Sequence, residues 1–273
     1  MSLKRTAFFI SDRTGITAEM LGHSLLTQFD GVTFAEVTMP FVDTEAKAWD
    51  TVARLNKTGV DDGGRPLVFS TLVNEELYGI VKQADALYLD CFQVFIGPME
   101  DELGVHSSHS VGRSHSVKNS GYYGRMDAVN FALAYDDGQS TKDMDKADII
   151  LVGVSRSGKT PTCLYLGLQY GIRAANYPLI PEDFEVMKLP ASLDTYRDKM
   201  FGLTIRPDRL HRIRNERRPN SKYASIKNCE REIRSAELLM RQENIPILDT
   251  TTRSIEELAT FILHHAHLGR HIY

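Results

Sequence analysis

Gly153-Val154-Ser155-Arg156-Ser157-Gly158-Lys159-Thr160 satisfies every fixed position of G-x-x-x-x-G-K-[ST], and its surroundings decide the fold. Upstream, Ala147-Asp148-Ile149-Ile150-Leu151-Val152 is a short apolar run of the kind a buried parallel strand requires. Downstream, Pro161 and Thr162 precede Cys163, Leu164, Tyr165, Leu166, Leu168 and Tyr170, which suit a helix that starts at the loop and ends near Gly171. Strand, glycine-rich loop and helix in this order make a phosphate cradle. The glycines let backbone N–H groups turn inward, Lys159 brings a cation to terminal phosphates, and the Thr160 hydroxyl suits Mg²⁺. All eight residues are therefore predicted to bind a nucleotide, with Thr160 also the predicted metal ligand. The bland alternative is a glycine-rich turn with an incidental lysine.

At 273 residues the chain exceeds one typical domain, and two domains are expected, over 1–140 and 147–273. With 42% hydrophobic and 25% charged residues the composition is globular, which argues against a disordered, fibrous or coiled-coil chain. A net charge of -4 gives no general reason to expect nucleic acid. Cys91, Cys163 and Cys229 are odd in number and far apart, so neither a disulfide framework nor a Cys-x-x-Cys metal site is indicated. Met1 to Thr6 runs straight into strand-like Ala7-Phe8-Phe9-Ile10, and no stretch approaches the length of a membrane span. A cytoplasmic protein without membrane partners is expected.

The N-terminal half repeats the strand, polar loop and helix order with Ala7 to Ile10, Ser11-Asp12-Arg13-Thr14-Gly15-Ile16-Thr17 and Ala18-Glu19-Met20-Leu21. Ser11, Thr14 and Thr17, with Arg13 and a helix start, could hold a phosphate or a phosphorylated side chain, or the loop could be an ordinary turn capped by Thr17. Val32 to Val37 and Pro66 to Ser70 are further strand candidates, with amphipathic stretches from Thr44 to Leu55 and Glu75 to Ala84. Such alternation implies a layered, parallel α/β sheet. Ala86-Leu87-Tyr88-Leu89-Asp90, an apolar run ending in Asp, has the look of a Walker B strand, but it lies far ahead of the phosphate loop and reads rather as a core strand. His106, His109 and His115 lie among serines in a polar loop whose spacing does not favour a metal, and Arg113, Lys118 and Arg125 nearby could meet a phosphate or an acidic surface. A helix from Met126 to Tyr135 stops at Asp136-Asp137-Gly138, which places two carboxylates just ahead of the phosphate loop and its strand. Gln139 to Lys146 reads as the linker.

The C-terminal half carries strand candidates at Ile172 to Pro178, Phe201 to Ile205 and Ile245 to Thr251. After Pro207-Asp208, Arg209, Arg212, Arg214, Arg217 and Arg218 follow at helical spacing, close behind Arg206. Beside a phosphate loop this basic helix reads as a lid that neutralises a moving phosphoryl group and excludes water. A solvated helix balanced by Glu216, Glu230, Glu232 and Glu237 is the plainer reading, and RNA binding a minor one. Ser254 and Glu257 form a capping box before the last helix, whose end carries His264, His265, His267 and His271.

Ser11 to Glu19, Asp136 to Gly138, Gly153 to Thr162, Arg173 to Pro178 and Phe201 to Ile205 together make the chain resemble the bacterial regulatory proteins of phosphoenolpyruvate synthase, and more distantly the regulators of pyruvate, phosphate dikinase. Ser157 stands where those relatives often carry Cys or Thr. The resemblance implies an α/β protein with a kinase-like P-loop domain. It implies ADP as phosphoryl donor to a threonine of phosphoenolpyruvate synthase, the protein partner. It also implies reversal, in which inorganic phosphate attacks the phosphothreonine and pyrophosphate leaves. Within that scheme Lys159 meets phosphate charge, Thr160 orders Mg²⁺ and Asp137 activates the hydroxyl or orders the metal. Arg206 or Arg214 meets transition-state charge, and the Ser11 to Thr17 loop meets the protein substrate. Self-association into a homodimer stays an open expectation. A small-molecule P-loop kinase and a nucleotide-gated binding module without chemistry are the alternatives.

Overall fold

Apolar runs separated by amphipathic stretches leave strands buried on both faces with helices covering them, the condition under which sheets become parallel. The computed structural model describes residues 3–107, 120–136 and 144–266. The chain divides into two compact units, Met1–Ser116 and Val117–Tyr273.

The first unit runs β1 (Leu3–Ile10), α1 (Ile16–Leu26), β2 (Val32–Met39), α2 (Glu45–Asp61), β3 (Leu67–Ser70), α3 (Glu75–Val81), β4 (Leu87–Asp90) and α4 (Gln93–Leu103). The strands lie in the order β2-β1-β3-β4, every pairing parallel. Alternation along β1 splits its side chains between two layers. Phe8 and Ile10 pack with Leu55 of α2 and with Leu77 and Val81 of α3, while Ala7 and Phe9 pack with Ala18 and Leu26 of α1.

The second unit runs α5 (Ser120–Ala134), β5 (Ile149–Gly153), α6 (Lys159–Tyr170), β6 (Ala174–Pro178), α7 (Pro181–Val186), β7 (Met200–Thr204), α8 (Pro207–Arg217), α9 (Ile226–Gln242), β8 (Ile247–Asp249) and α10 (Ile255–His265). Its sheet, β6-β5-β7-β8, is again wholly parallel and repeats the strand order of the first unit. Ile150 and Val152 face Ile233, Leu239 and Met240 of α9, and Ile149 and Leu151 face Leu166 of α6 with Leu258 and Ile262 of α10. In each unit the first strand is central, and the chain passes to one side and then crosses to the other. The crevice where such a sheet reverses lies at the carboxyl ends of β5 and β7, and a ligand belongs there. Among the described residues, no helix is long and apolar enough to cross a membrane.

Three expectations are corrected. The division between units falls between residues 116 and 117 rather than in the Gln139 to Lys146 linker, because α5 belongs to the second unit. It packs so closely on α6 that a Cβ on Gly167 would lie 3.1 Å from the Ala128 backbone. Strand β4 is an edge strand with Leu87 and Leu89 exposed, not a core strand. Thr17 does not cap α1; Gly15 does, with φ 81°. Finally, α4 was not expected from its sequence, since Gly97-Pro98 interrupts it and it buries none of its side chains.

Candidate functional site

Strand β5 ends at Gly153, at the reversal point of the sheet, and α6 begins at Lys159. A Cβ on Gly153 would run into the Leu203 carbonyl oxygen of β7, so only glycine lets the two backbones approach here. Gly158 closes the loop as the left-handed N-cap of α6, with φ 93°. Arg156 is also left-handed, at φ 74°, which is costly for a residue with a side chain. That conformation holds an exposed guanidinium in the middle of the loop.

Lys159 is buried and donates from Nζ to the Val154 carbonyl oxygen at 2.9 Å. Its ammonium thus lies across the loop. Ser157 Oγ is buried beside Gly153 and has no hydrogen-bond partner among the described residues. A buried hydroxyl without a partner is costly, and an anion oxygen in the loop would satisfy it. These features fit a bound phosphate.

The Thr160 hydroxyl donates to Asp136 Oδ1 at 2.8 Å. Asn176 Nδ2 joins the same pair, donating to Asp136 Oδ1 and lying 3.0 Å from Thr160 Oγ1. Three elements bring these groups together. Asp136 follows α5, Thr160 opens α6 and Asn176 lies in β6. The Asn176 N–H donates to the Tyr135 carbonyl oxygen at 3.1 Å, which ties the end of α5 to that strand and sets Asp136 over the helix start. The Thr160 hydroxyl and the Asp136 carboxylate are oxygen donors of the kind Mg²⁺ takes, and Asn176, which presents its NH₂, orients them rather than joining them as a ligand. Of the two neighbouring carboxylates, Asp136 reaches Thr160; Asp137 lies outside the described residues.

Arg214 is not where a lid arginine would stand. It is completely buried, bonds Glu232 Oε2 at 2.8 Å, and donates to the Ser155 carbonyl oxygen at 3.0 Å and the Tyr223 carbonyl oxygen at 3.1 Å. The expectation that it faces the transferred group gives way to an interior role. Arg206 is exposed and follows β7 on the same sheet edge as the loop. Its guanidinium bonds Asp208 at 2.8 Å and holds that carboxyl down at about 2. Arg209, Arg217 and Arg218 are exposed.

In the first unit the loop after β1 occupies the position that the phosphate loop takes in the second. Ser11 is buried, and its Oγ accepts from the Arg13 N–H at 3.1 Å, closing a local turn. Arg13, Thr14 and Thr17 are exposed. His106 and Arg125 are described, while His109, Arg113, His115, Lys118, His267 and His271 lie outside the described residues. Among the described residues no group of three or more His, Cys, Asp or Glu side chains could hold a metal. Sequence reasoning missed Asn176 and Tyr223 as site residues. Asn176 carried a signal, a lone amide in a strand that is otherwise small and apolar at its start.

A phosphate-loop signature at the reversal point of a parallel sheet, with a carboxylate on the hydroxyl after its lysine, defines a P-loop-type α/β protein. Residues 7–263 match the family described as kinase/pyrophosphorylase, and the chain belongs to that family of phosphotransferases. It is 58% identical over 271 residues, 98% of each chain, to a protein of Aromatoleum aromaticum provisionally named phosphoenolpyruvate synthase regulatory protein. Proteins under the same provisional name from Marinobacter nauticus and Pseudomonas aeruginosa PAO1 are each 55% identical, over 98% and 96% of this chain and 100% and 96% of their own lengths.

Proposed function

We propose that the protein is an ADP-dependent protein-threonine kinase and phosphate-dependent phosphothreonine phosphorylase that inactivates and reactivates phosphoenolpyruvate synthase in the cytoplasm. The Asp136–Thr160 pair at the start of α6 carries this reading, because it sets a metal-ordering carboxylate beside the phosphate loop of a kinase/pyrophosphorylase. The names of the relatives supply the target.

In the forward direction a threonine hydroxyl attacks the β-phosphorus of ADP. The bond to the bridging oxygen breaks, AMP leaves, and the hydroxyl proton passes to base or solvent. In the reverse direction an oxygen of inorganic phosphate attacks the phosphothreonine phosphorus, the bond from that phosphorus to the threonine oxygen breaks, the threonine oxygen takes up a proton, and the pyrophosphate so formed is released. Both steps move a phosphoryl group between oxygens, so one cradle serves both. The loop amides and Lys159 hold phosphate charge, and Arg156 and Arg206 bring further cations to the transferred group. Asp136 and Thr160 would hold Mg²⁺, which when bound draws charge from the phosphate oxygens. Asn176 keeps the Asp136 carboxylate turned toward Thr160. Ser11, Arg13, Thr14 and Thr17 contact the protein substrate, and Asp137 neighbours the carboxylate that does the ordering.

The test is incubation with β-labelled ADP, Mg²⁺ and purified phosphoenolpyruvate synthase. Label should appear on a threonine of the synthase and leave as pyrophosphate when phosphate is added. Transfer from the γ position of ATP with none from ADP would remove the donor assignment, and phosphorylation of metabolites alone would favour a small-molecule kinase.

A further inference from the structure

Ser155 of the phosphate loop is gripped at both its main chain and its side chain by the α8–α9 hairpin. Arg214 of α8 donates to its carbonyl oxygen at 3.0 Å. The hydroxyl of Tyr223, in the short turn Lys222–Ala224 between the two helices, lies 3.0 Å from Ser155 Oγ. The two gripping groups support each other, since the Arg214 guanidinium carbon lies 4.1 Å from the centre of the Tyr223 ring. Glu232 of α9 neutralises Arg214 and is itself bonded by Asn228 Nδ2 at 2.6 Å. The turn is pinned in its own right, because Ser221 Oγ accepts from the Ala224 N–H at 3.2 Å and the His211 ring bonds the Ala224 carbonyl oxygen.

We propose that Tyr223 and Arg214 are positioning residues that act through Ser155, and that the α8–α9 hairpin is a fixed support of the phosphate loop rather than a lid that swings over it. Swinging this hairpin off the loop would break both bonds to Ser155 and pull Leu210, Ile233, Leu239 and Met240 out of the core they share with Ile150 and Val152 of β5, a far larger penalty than a mobile cover can bear at each turnover. What the grip does is local. Residue 155 immediately precedes Arg156, whose left-handed backbone must be held by its surroundings, and the loop amides must point inward before phosphate arrives. Losing one hydroxyl contact should therefore weaken phosphate binding and leave the chemical step alone. The inference rests on the phosphate-loop reading above, and it names which residues outside the loop preorganise it.

Tyr223→Phe keeps the ring over Arg214 and removes only the hydroxyl, so the fold should survive. Amide hydrogen exchange is followed for residues 154–158 and α9 in wild type, Tyr223→Phe, Ser155→Ala and the double variant, each without ligand. Exchange in the loop should quicken about tenfold in each single variant and no further in the double, with α9 unchanged. Loop exchange at the wild-type rate in Tyr223→Phe, or single effects that multiply in the double, would overturn the proposal. The second measurement is steady-state turnover with ADP. KM should rise about fivefold to tenfold in Tyr223→Phe with kcat within twofold of wild type. Altered exchange with an unchanged KM would also overturn it. If wild type turns over no ADP, that defeats the proposed reaction alone, and the exchange data still decide whether the grip holds the loop.

Discussion

The Thr160 hydroxyl and the Asp136 carboxylate meet at 2.8 Å although 24 residues separate them. The Thr160 hydroxyl donates to the carboxylate and accepts from Asn176 Nδ2, so one lone pair of its oxygen remains for a cation, with the carboxylate oxygens beside it. Thr160→Val should therefore abolish Mg²⁺-dependent turnover with the fold intact, while Thr160→Ser, which restores the hydroxyl, should keep most of it. Asp136→Asn should lower turnover about a hundredfold and raise the Mg²⁺ requirement. Steady-state rates across a Mg²⁺ titration, with circular dichroism as the control for folding, decide between these outcomes and a purely structural pair.

Lys159 is buried, and its ammonium bridges to Val154. Lys159→Ala should reduce turnover by about 10² to 10³. Lys159→Arg should not restore it, because the planar guanidinium needs more room than a compact ammonium in a buried position. Rate measurement on the two variants checks both statements.

Gly153 meets the Leu203 carbonyl oxygen with no space for a methyl group, and its φ of 150° is a conformation that other residues seldom adopt. Gly153→Ala should cost about 3 kcal/mol or more, by the strain of the backbone and the clash together. Urea unfolding gives the number, and a loss below about 1 kcal/mol would show that β5 and β7 separate easily.

Arg214 and Arg206 separate burial from charge. Arg214→Ala leaves Glu232 without its partner in the interior and should cost about 3–5 kcal/mol. Arg206→Ala removes a solvent-screened, exposed pair and should leave stability almost unchanged. Activity is expected to fall in Arg206→Ala without loss of stability. Thermal or denaturant melts beside turnover assays distinguish the two effects.

All three cysteines are buried, and burial raises each thiol pKa: Cys91 to about 11, Cys163 and Cys229 also upward. A raised thiol pKa means less thiolate at any given pH. For Cys91 that is about one part in a thousand at pH 8. Iodoacetamide should leave the native protein unlabelled at pH 8 and label three sites once urea unfolds it. Rapid labelling of native Cys163 would show that α6 opens readily from β6.

Much of this protein was legible from sequence order alone. Gly153 to Thr160 between an apolar run and a helix start, the proline at the head of α8 and the Ser254–Glu257 box before α10 are short-range patterns. Each reflects steric and hydrogen-bonding preferences within one turn or strand, so they hold before the chain folds. The basic helix was legible as a helix, but its orientation was not. Periodicity could not tell that Arg214, among the arginines around it, would turn inward, because Glu232 and the Ser155 carbonyl oxygen reach it only when α9 and the phosphate loop pack on α8. That Asp136 meets Thr160 was equally invisible. It depends on where α5 ends against β6, which a backbone bond from Asn176 to Tyr135 sets. Sequence by itself determined that a strand, the Gly153 to Thr160 loop and a helix follow one another. Tertiary packing brought Asp136, Asn176 and Arg214 to that loop, because those contacts join residues far apart in the chain whose meeting is dictated by the layering of helices on the sheet.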